Sequence, residues 1–336
     1  MTTDGSPTPV DLADRHKAID AHIHSPAHLI ARADQMVNAG YLQRCRADRL
    51  KLTLPQLLYL CAVAANPGGH QAAAARMVGM DTPTGALVIS ALERRGLVER
   101  RQCDTDKRRK QVYCTDEGDT ARARGLAIFA TATRNFMEPA SRSDRQELQR
   151  ILEKIAAHEE ATPPPLCNAD GKPITVPGYL PADVLLGYLF GRCLQLAVAL
   201  VAPALAPFDL TIRQYVVLAM LDIAGPCNMT LLNRVMGSER SAMAIVLPTL
   251  EGRGLVSIHR ETDRSLSIAL TESGRLLLAQ ARPEAEAANR RIASGLSDTE
   301  RLHFTETLTL ALSAQMNWLA GAVRVNAPAN GIDLIS

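Results

Sequence analysis

The chain has 336 residues and a mass of 36.3 kDa, a length that favours two domains over one. Apolar residues at 47% and charged residues at 21% supply each half with material for a core, which excludes wholesale disorder. A net charge of +2 excludes a uniformly basic coat protein but leaves room for local basic patches, and aromatics at 4% disfavour a single-strand binder built on stacking platforms.

Residues 1–26 read as a flexible segment, with no basic stretch leading into an apolar one, so no secretory signal is expected there. Ala27 to Arg49 reads as a long helix. Leu54 to Ala65 is a second, with Thr53 as its N-cap and Pro55 tolerated in its first turn. Gln71 to Val78 is a short third helix, stopped at Gly79. Asp81 caps a fourth that runs to Arg95, with Gly96 as its stop. Leu97 to Arg101 and Lys110 to Cys114 have strand character and flank a charged turn. Thr115 then caps a helix running to about Met137, and Ser143 to His158 is a further amphipathic helix. The stretch 161–180 is dense in proline and glycine and reads as a stiff linker; some 20 residues reach at most about 70 Å.

Beyond the linker the order recurs: Ala182 to Ala202, Ile212 to Ala224, Met229 to Met236, Arg240 to Arg253, strands near Leu255 to His259 and Leu266 to Leu270, then Glu272 to Ile292 and Asp298 to Trp318. The recurrence is visible in the residues themselves. Shifted by 158, Leu52-Thr53-Leu54-Pro55-Gln56 falls on Leu210-Thr211-Ile212-Arg213-Gln214. In the same ungapped frame Leu92-Glu93-Arg94-Arg95-Gly96-Leu97-Val98 falls on Leu250-Glu251-Gly252-Arg253-Gly254-Leu255-Val256. A repeat this long means two domains of one type rather than a solenoid. The expected organisation is a first domain over 27–160, a linker over 161–180, a second domain over 181–320 and a tail over 321–336.

The most apolar stretch, Leu185 to Phe208, is broken by Arg192, Gln195 and Pro203 and reads as a buried packing helix rather than a membrane span. Seven cysteines with no Cys-x-x-Cys pair fit reduced thiols and a cytoplasmic location. Enzyme signatures (Gly-x-Ser-x-Gly, the phosphate-binding glycine loop, His-Glu-x-x-His) are lacking, so no catalysis and no cofactor are expected.

A short helix, a glycine turn and a second helix present the second helix at a surface, where it can enter a DNA major groove; a following hairpin can reach the adjacent groove or backbone. In the first copy the hairpin is strongly basic: from Arg94 to Lys110 there are eight basic and three acidic residues, a local net of +5. Such a patch suits phosphates, with counterion release supplying affinity.

Both copies resemble the MarR family of winged-helix transcription regulators. The residues that carry the resemblance are Leu-Thr-x-x-Gln at 52–56 and 210–214, Leu-Glu-x-Arg-Gly-Leu-Val at 92–98 and 250–256, the Asp106-Lys107-Arg108 wing, and the Thr-x-x-Gly that opens the next helix at Thr115 and Thr271. The last pair matches at a shift of 156. The resemblance implies a mainly α fold with small β wings, in which two winged helix-turn-helix domains form a pseudo-dimer through long terminal helices. It implies a regulator of double-stranded DNA with an imperfectly palindromic operator, a repressor released by a small ligand such as an aromatic acid.

Candidate DNA contacts are Thr82, Pro83 and Thr84 at the start of the first recognition helix, Arg240 and Ser241 at the second, and the wing residues Arg101, Lys107, Arg108, Arg109, Arg260 and Arg264. The halves are unequal, because Pro248 lies deep in the second recognition helix and the second wing, from Gly252 to Leu266, carries a net of only +1. Candidate effector contacts are His28, Tyr41 and Arg46; the histidine also fits a surface or capping role. His22, His24 and His28 do not share one helical face, so no metal site is expected. A competing reading is a ligand-sensing or protein-interaction module whose second half has lost DNA binding.

Overall fold

The computed structural model describes residues 24–102, 110–157, 166–174, 176–230, 232, 240–260 and 266–315. The elements are α1 (Pro26–Ala47), α2 (Leu54–Ala65), α3 (Gln71–Met77), α4 (Thr82–Arg94), β1 (Val98–Gln102), β2 (Lys110–Cys114), α5 (Asp116–Phe136) and α6 (Arg142–Ala156). They are followed by α7 (Ala182–Leu205), α8 (Ile212–Ala224), β3 (Cys227–Asn228), α9 (Arg240–Gly252), β4 (Val256–Arg260), β5 (Leu266–Leu270), α10 (Glu272–Ile292) and α11 (Asp298–Gln315). The mainly helical class with small sheets is as expected. Of the short helix expected at Met229 to Met236, only part lies within the described residues, and the 316–318 end of the last helix lies outside them.

The chain forms two compact units that are not consecutive in sequence. One comprises the described residues within 30–199 and 292–315, the other the described residues within 24–29 and 200–291.

In the unit built on 30–199, local sequence sets the helix ends. Thr53 accepts from the Gln56 amide while the Gln56 side chain accepts from the Thr53 amide, closing a capping box, and Ser141 with Asp144 repeats the device at α6. β1 and β2 pair antiparallel, Val98 opposite Cys114 and Gln102 opposite Lys110. The core runs through Leu57, Leu60, Ile89, Leu92, Phe129, Leu148 and Ile151, all essentially inaccessible. Tyr41 meets Phe129 edge to face at 5.9 Å.

This unit also takes in helices that belong, by the repeat, to the second copy. α7 lies against α5 and α6: Phe190 meets Phe136 edge to face at 5.8 Å, and the Cys193 thiol donates to the Leu152 carbonyl at 3.3 Å. α11 packs on α6, where Lys154 pairs with Glu300 and His303 Nε2 lies 3.3 Å from the Asp144 carbonyl. By length and mean hydropathy, Ala182–Phe208 could cross a membrane, but two-thirds of its apolar window is buried in protein.

The described part of the linker is structured. Cys167 bridges Pro173 in a small hairpin, with the Ile174 amide donating to the Leu166 carbonyl at 2.9 Å. The hairpin and the residues after it attach to the end of α3. The Cys167 amide donates to the Arg76 carbonyl (3.1 Å) and the Tyr179 hydroxyl to the Met77 carbonyl (2.8 Å). The Arg76 carbonyl also accepts from the Gly79 amide at 3.2 Å, so the linker shares one acceptor with the helix end and takes up a second at Met77.

In the other unit β3, β5 and β4 form a three-stranded antiparallel sheet in that order, Cys227 opposite Ile268 and Val256 opposite Leu270. Arg282 of α10 donates to Asp222 of α8 at 2.5 Å, and the Ala27 amide to Asn289 at 3.0 Å. α9 continues through Pro248 to Gly252.

Candidate nucleic-acid interface

The first helix–turn–helix is α3, the turn 78–81 and α4. Gly79 sits at φ +66°, a left-handed conformation that glycine adopts at no steric cost and that lets the chain reverse after α3. Asp81 accepts from the Thr84 amide at 2.7 Å, and this bond holds its carboxyl below the usual range. α4 packs closely on α3: a Cβ on Gly85 would come within 2.7 Å of the Ala75 Cβ. With Gly85, Ile89 and Leu92 buried, the opposite face of α4 is left to solvent.

Thr82, Pro83 and Thr84 are all exposed on the first turn of α4, as a base- or phosphate-reading role requires. Arg101 is exposed on β1, stacks on Tyr113 with 4.6 Å from guanidinium to ring centre, and pairs with Glu99. Arg100, one of the eight basic residues, turns inward instead. Its Nε donates to Glu93 of α4 at 2.9 Å and its Nη1 to Gln71 of α3 at 3.4 Å. The bond raises the arginine and lowers the Glu93 carboxyl, and it joins the wing to the recognition helix. Sequence counting could not separate this inward-turned arginine from the exposed Arg101 beside it; the signal was an acidic residue seven positions before it on α4. The repeat-equivalent of Arg100 is Ile258, so this link has no counterpart in the second copy.

Lys107, Arg108, Arg109 and Arg264 lie outside the described residues. Arg240 and Ser241 begin α9, and Arg260 ends β4.

Two of the effector candidates, Tyr41 and Arg46, differ in exposure along α1. Tyr41 is fully buried, and burial pushes its phenol up. Arg46 is exposed, and His28 belongs to a different compact unit from both. An open cleft of about 420 Å³ does lie between α1 and α5, lined by Met36, Gly40, Arg44, Ala132, Asn135 and Phe136 among others. With the Asn135 amide oriented so that its nitrogen donates to the Thr131 carbonyl at 3.1 Å, its oxygen accepts from Arg44 at 2.7 Å. The cation lining this cleft is therefore Arg44, two residues before the expected Arg46 and on a different face of α1. Cys45 and Cys193 are buried, and burial pushes both thiols up, away from the reactive thiolate.

The MarR family model matches residues 52–110 and 210–264, one match in each copy. Over 104 residues the chain is 30% identical to the transcriptional regulator HosA of Escherichia coli O127:H6, which covers 31% of this chain and 77% of HosA. Over 128 residues it is 32% identical to the HTH-type transcriptional repressor Mb2911 of Mycobacterium bovis, 38% of this chain and 92% of that one. A solved MarR-family regulator from Rhodococcus sp. RHA1 is 32% identical, covering 38% of this chain and 93% of its own, with a TM-score of 0.36. Matched once in each half of its repeat, the chain belongs to the MarR family and is a transcriptional regulator that carries two copies of the family's winged helix-turn-helix.

Proposed function

We propose that this chain is a sequence-specific repressor that binds one DNA duplex as a single-chain pseudo-dimer. The domains are 27–160 and 181–320, joined by the linker 161–180. The observation that carries the DNA reading is the first turn of α4: Thr82, Pro83 and Thr84 stand in solvent, beside a basic wing that Arg100 and Glu93 tie to the same helix. The pseudo-dimer reading is supported by α7 and α11, second-copy helices that pack with α5 and α6 inside one compact unit. The linker keeps the two halves at roughly millimolar effective concentration. Two recognition helices then address successive major grooves about 34–36 Å apart, on an imperfect palindrome.

The direction of regulation follows the mycobacterial relative, which is named a repressor. Release is assigned to a small aromatic acid in the α1–α5 cleft, its carboxylate on Arg44 and its ring against Met36 and Phe136. A ligand that prefers one arrangement of α1 and α5 shifts the population away from the DNA-binding state.

The test is binding to the DNA upstream of the chain's own coding sequence, measured by gel shift at two salt concentrations. A sequence-selective shift whose affinity falls steeply with salt supports several phosphate contacts. No selective shift at any salt overturns the reading and favours the interaction-module alternative.

A further inference from the structure

Six large apolar residues stand out as exposed among the described residues, and the two most exposed are Leu87 at 74% and Ile245 at 73%; the next stand at 59%. A lone exposed leucine is ordinary on a protein surface. These two are not independent, because Leu87 and Ile245 are 158 positions apart and fall on each other in the repeat frame. The positions around them agree in burial: Gly85 with Met243, Ile89 with Leu247 and Leu92 with Leu250 are buried in both copies. Both apolar side chains thus stand mid-helix on the solvent face of a recognition helix. On α4, Leu87 lies one turn beyond Thr84 and Pro83, on the same face as the residues assigned to DNA.

An apolar side chain on the groove-facing side of a recognition helix has one good partner in the major groove, the 5-methyl group of thymine. We infer that Leu87 and Ile245 are specificity-determining residues, each closing on a thymine methyl in its own half-site. The inference rests on the DNA-binding reading above. It makes the central contact of each half apolar, flanked by Thr84 in the first copy, and so asks for a thymine at the equivalent place in both half-sites even though the flanking residues differ.

The experiment uses the full chain and a duplex that it enriches from a random-sequence pool. Each thymine of that duplex is replaced singly by deoxyuridine, which removes the methyl and leaves base pairing intact. The expected result is one sensitive thymine per half-site, with affinity reduced about fourfold, the loss for one methyl taken from an apolar contact. Leu87→Ala, at a site outside the core, should abolish the deoxyuridine penalty in one half-site and leave it in the other. Ile245→Ala should do the reverse. Selective binding without any sensitive thymine, or penalties that persist in both variants, overturns the inference while leaving DNA binding standing. Failure to enrich any duplex overturns the DNA-binding reading itself and the inference with it.

Discussion

The Thr115 hydroxyl donates to the Gly96 carbonyl at 2.7 Å and accepts from the Gly118 amide at 3.0 Å, and Thr271 makes the same two bonds to Gly254 and Gly274 at the same two distances. The Thr-x-x-Gly signature is explained by this geometry. The threonine caps the helix after the wing and at the same time ties it to the glycine that ends the recognition helix. Gly96 and Gly254 take up φ of +69° and +68° to allow the turn. A Cβ on Gly118 or Gly274 would fall 1.9 or 2.1 Å from the Leu97 or Leu255 carbonyl oxygen, contacts no side chain tolerates.

Replacing either threonine by valine should therefore cost about 1–2 kcal/mol of stability, the range of a lost N-cap. Gly118→Ala should cost more, because the obstructing atom is backbone. Denaturant unfolding of the three variants checks both expectations, and a Gly118→Ala protein as stable as the parent would refute the packing argument.

Gly85 sets how closely α4 sits on α3. An alanine there brings its Cβ to 2.7 Å from that of Ala75, so one helix must give way by several tenths of an ångström. Gly85→Ala should lower DNA affinity several-fold with only a modest change in unfolding midpoint, because the recognition helix is displaced while the rest of the core is kept. Parallel gel-shift and unfolding curves separate the two effects.

Burial on α1 raises the Asp34 carboxyl to about 6, against about 3.9 in an unfolded chain. A carboxyl raised on folding holds its proton more tightly in the folded state, so stability falls as pH rises from about 4 to about 6 and the cost is fully present above that window. At about 1.4 kcal/mol per unit the cost is on the order of 3 kcal/mol. Asp34→Asn should flatten the slope and stabilise the protein at neutral pH, which thermal unfolding across that pH range would show.

The wings carry the asymmetry between the halves. Arg108→Ala, in the strongly basic first wing, should weaken DNA binding more than Arg264→Ala in the second, whose local net charge is only +1. A gel-shift series with equal losses would contradict the unequal-halves account.

Much of this architecture is legible in the residues. Capping threonines, stop glycines and the apolar spacing place α8 and α10 at the expected residues and most other helix ends within a few positions. β3 was not legible, because Cys227-Asn228 is a two-residue strand that exists only through pairing with Ile268 and Ser267. The linker's composition announced stiffness but not its attachment to Arg76 and Met77, which uses backbone carbonyls that any sequence would offer. The residues lining the α1–α5 cleft were the hardest to see. Helical spacing cannot tell that Tyr41 points into the core while Arg44, three residues on, lines a cleft.

The central claim is that one chain supplies both halves of the DNA reader, and the mass of its complex with an enriched duplex tests it most directly. Sedimentation or mass photometry should find one chain per duplex, with a footprint of two protected patches about one helical turn apart. Two chains per duplex, or a single protected patch, would contradict it.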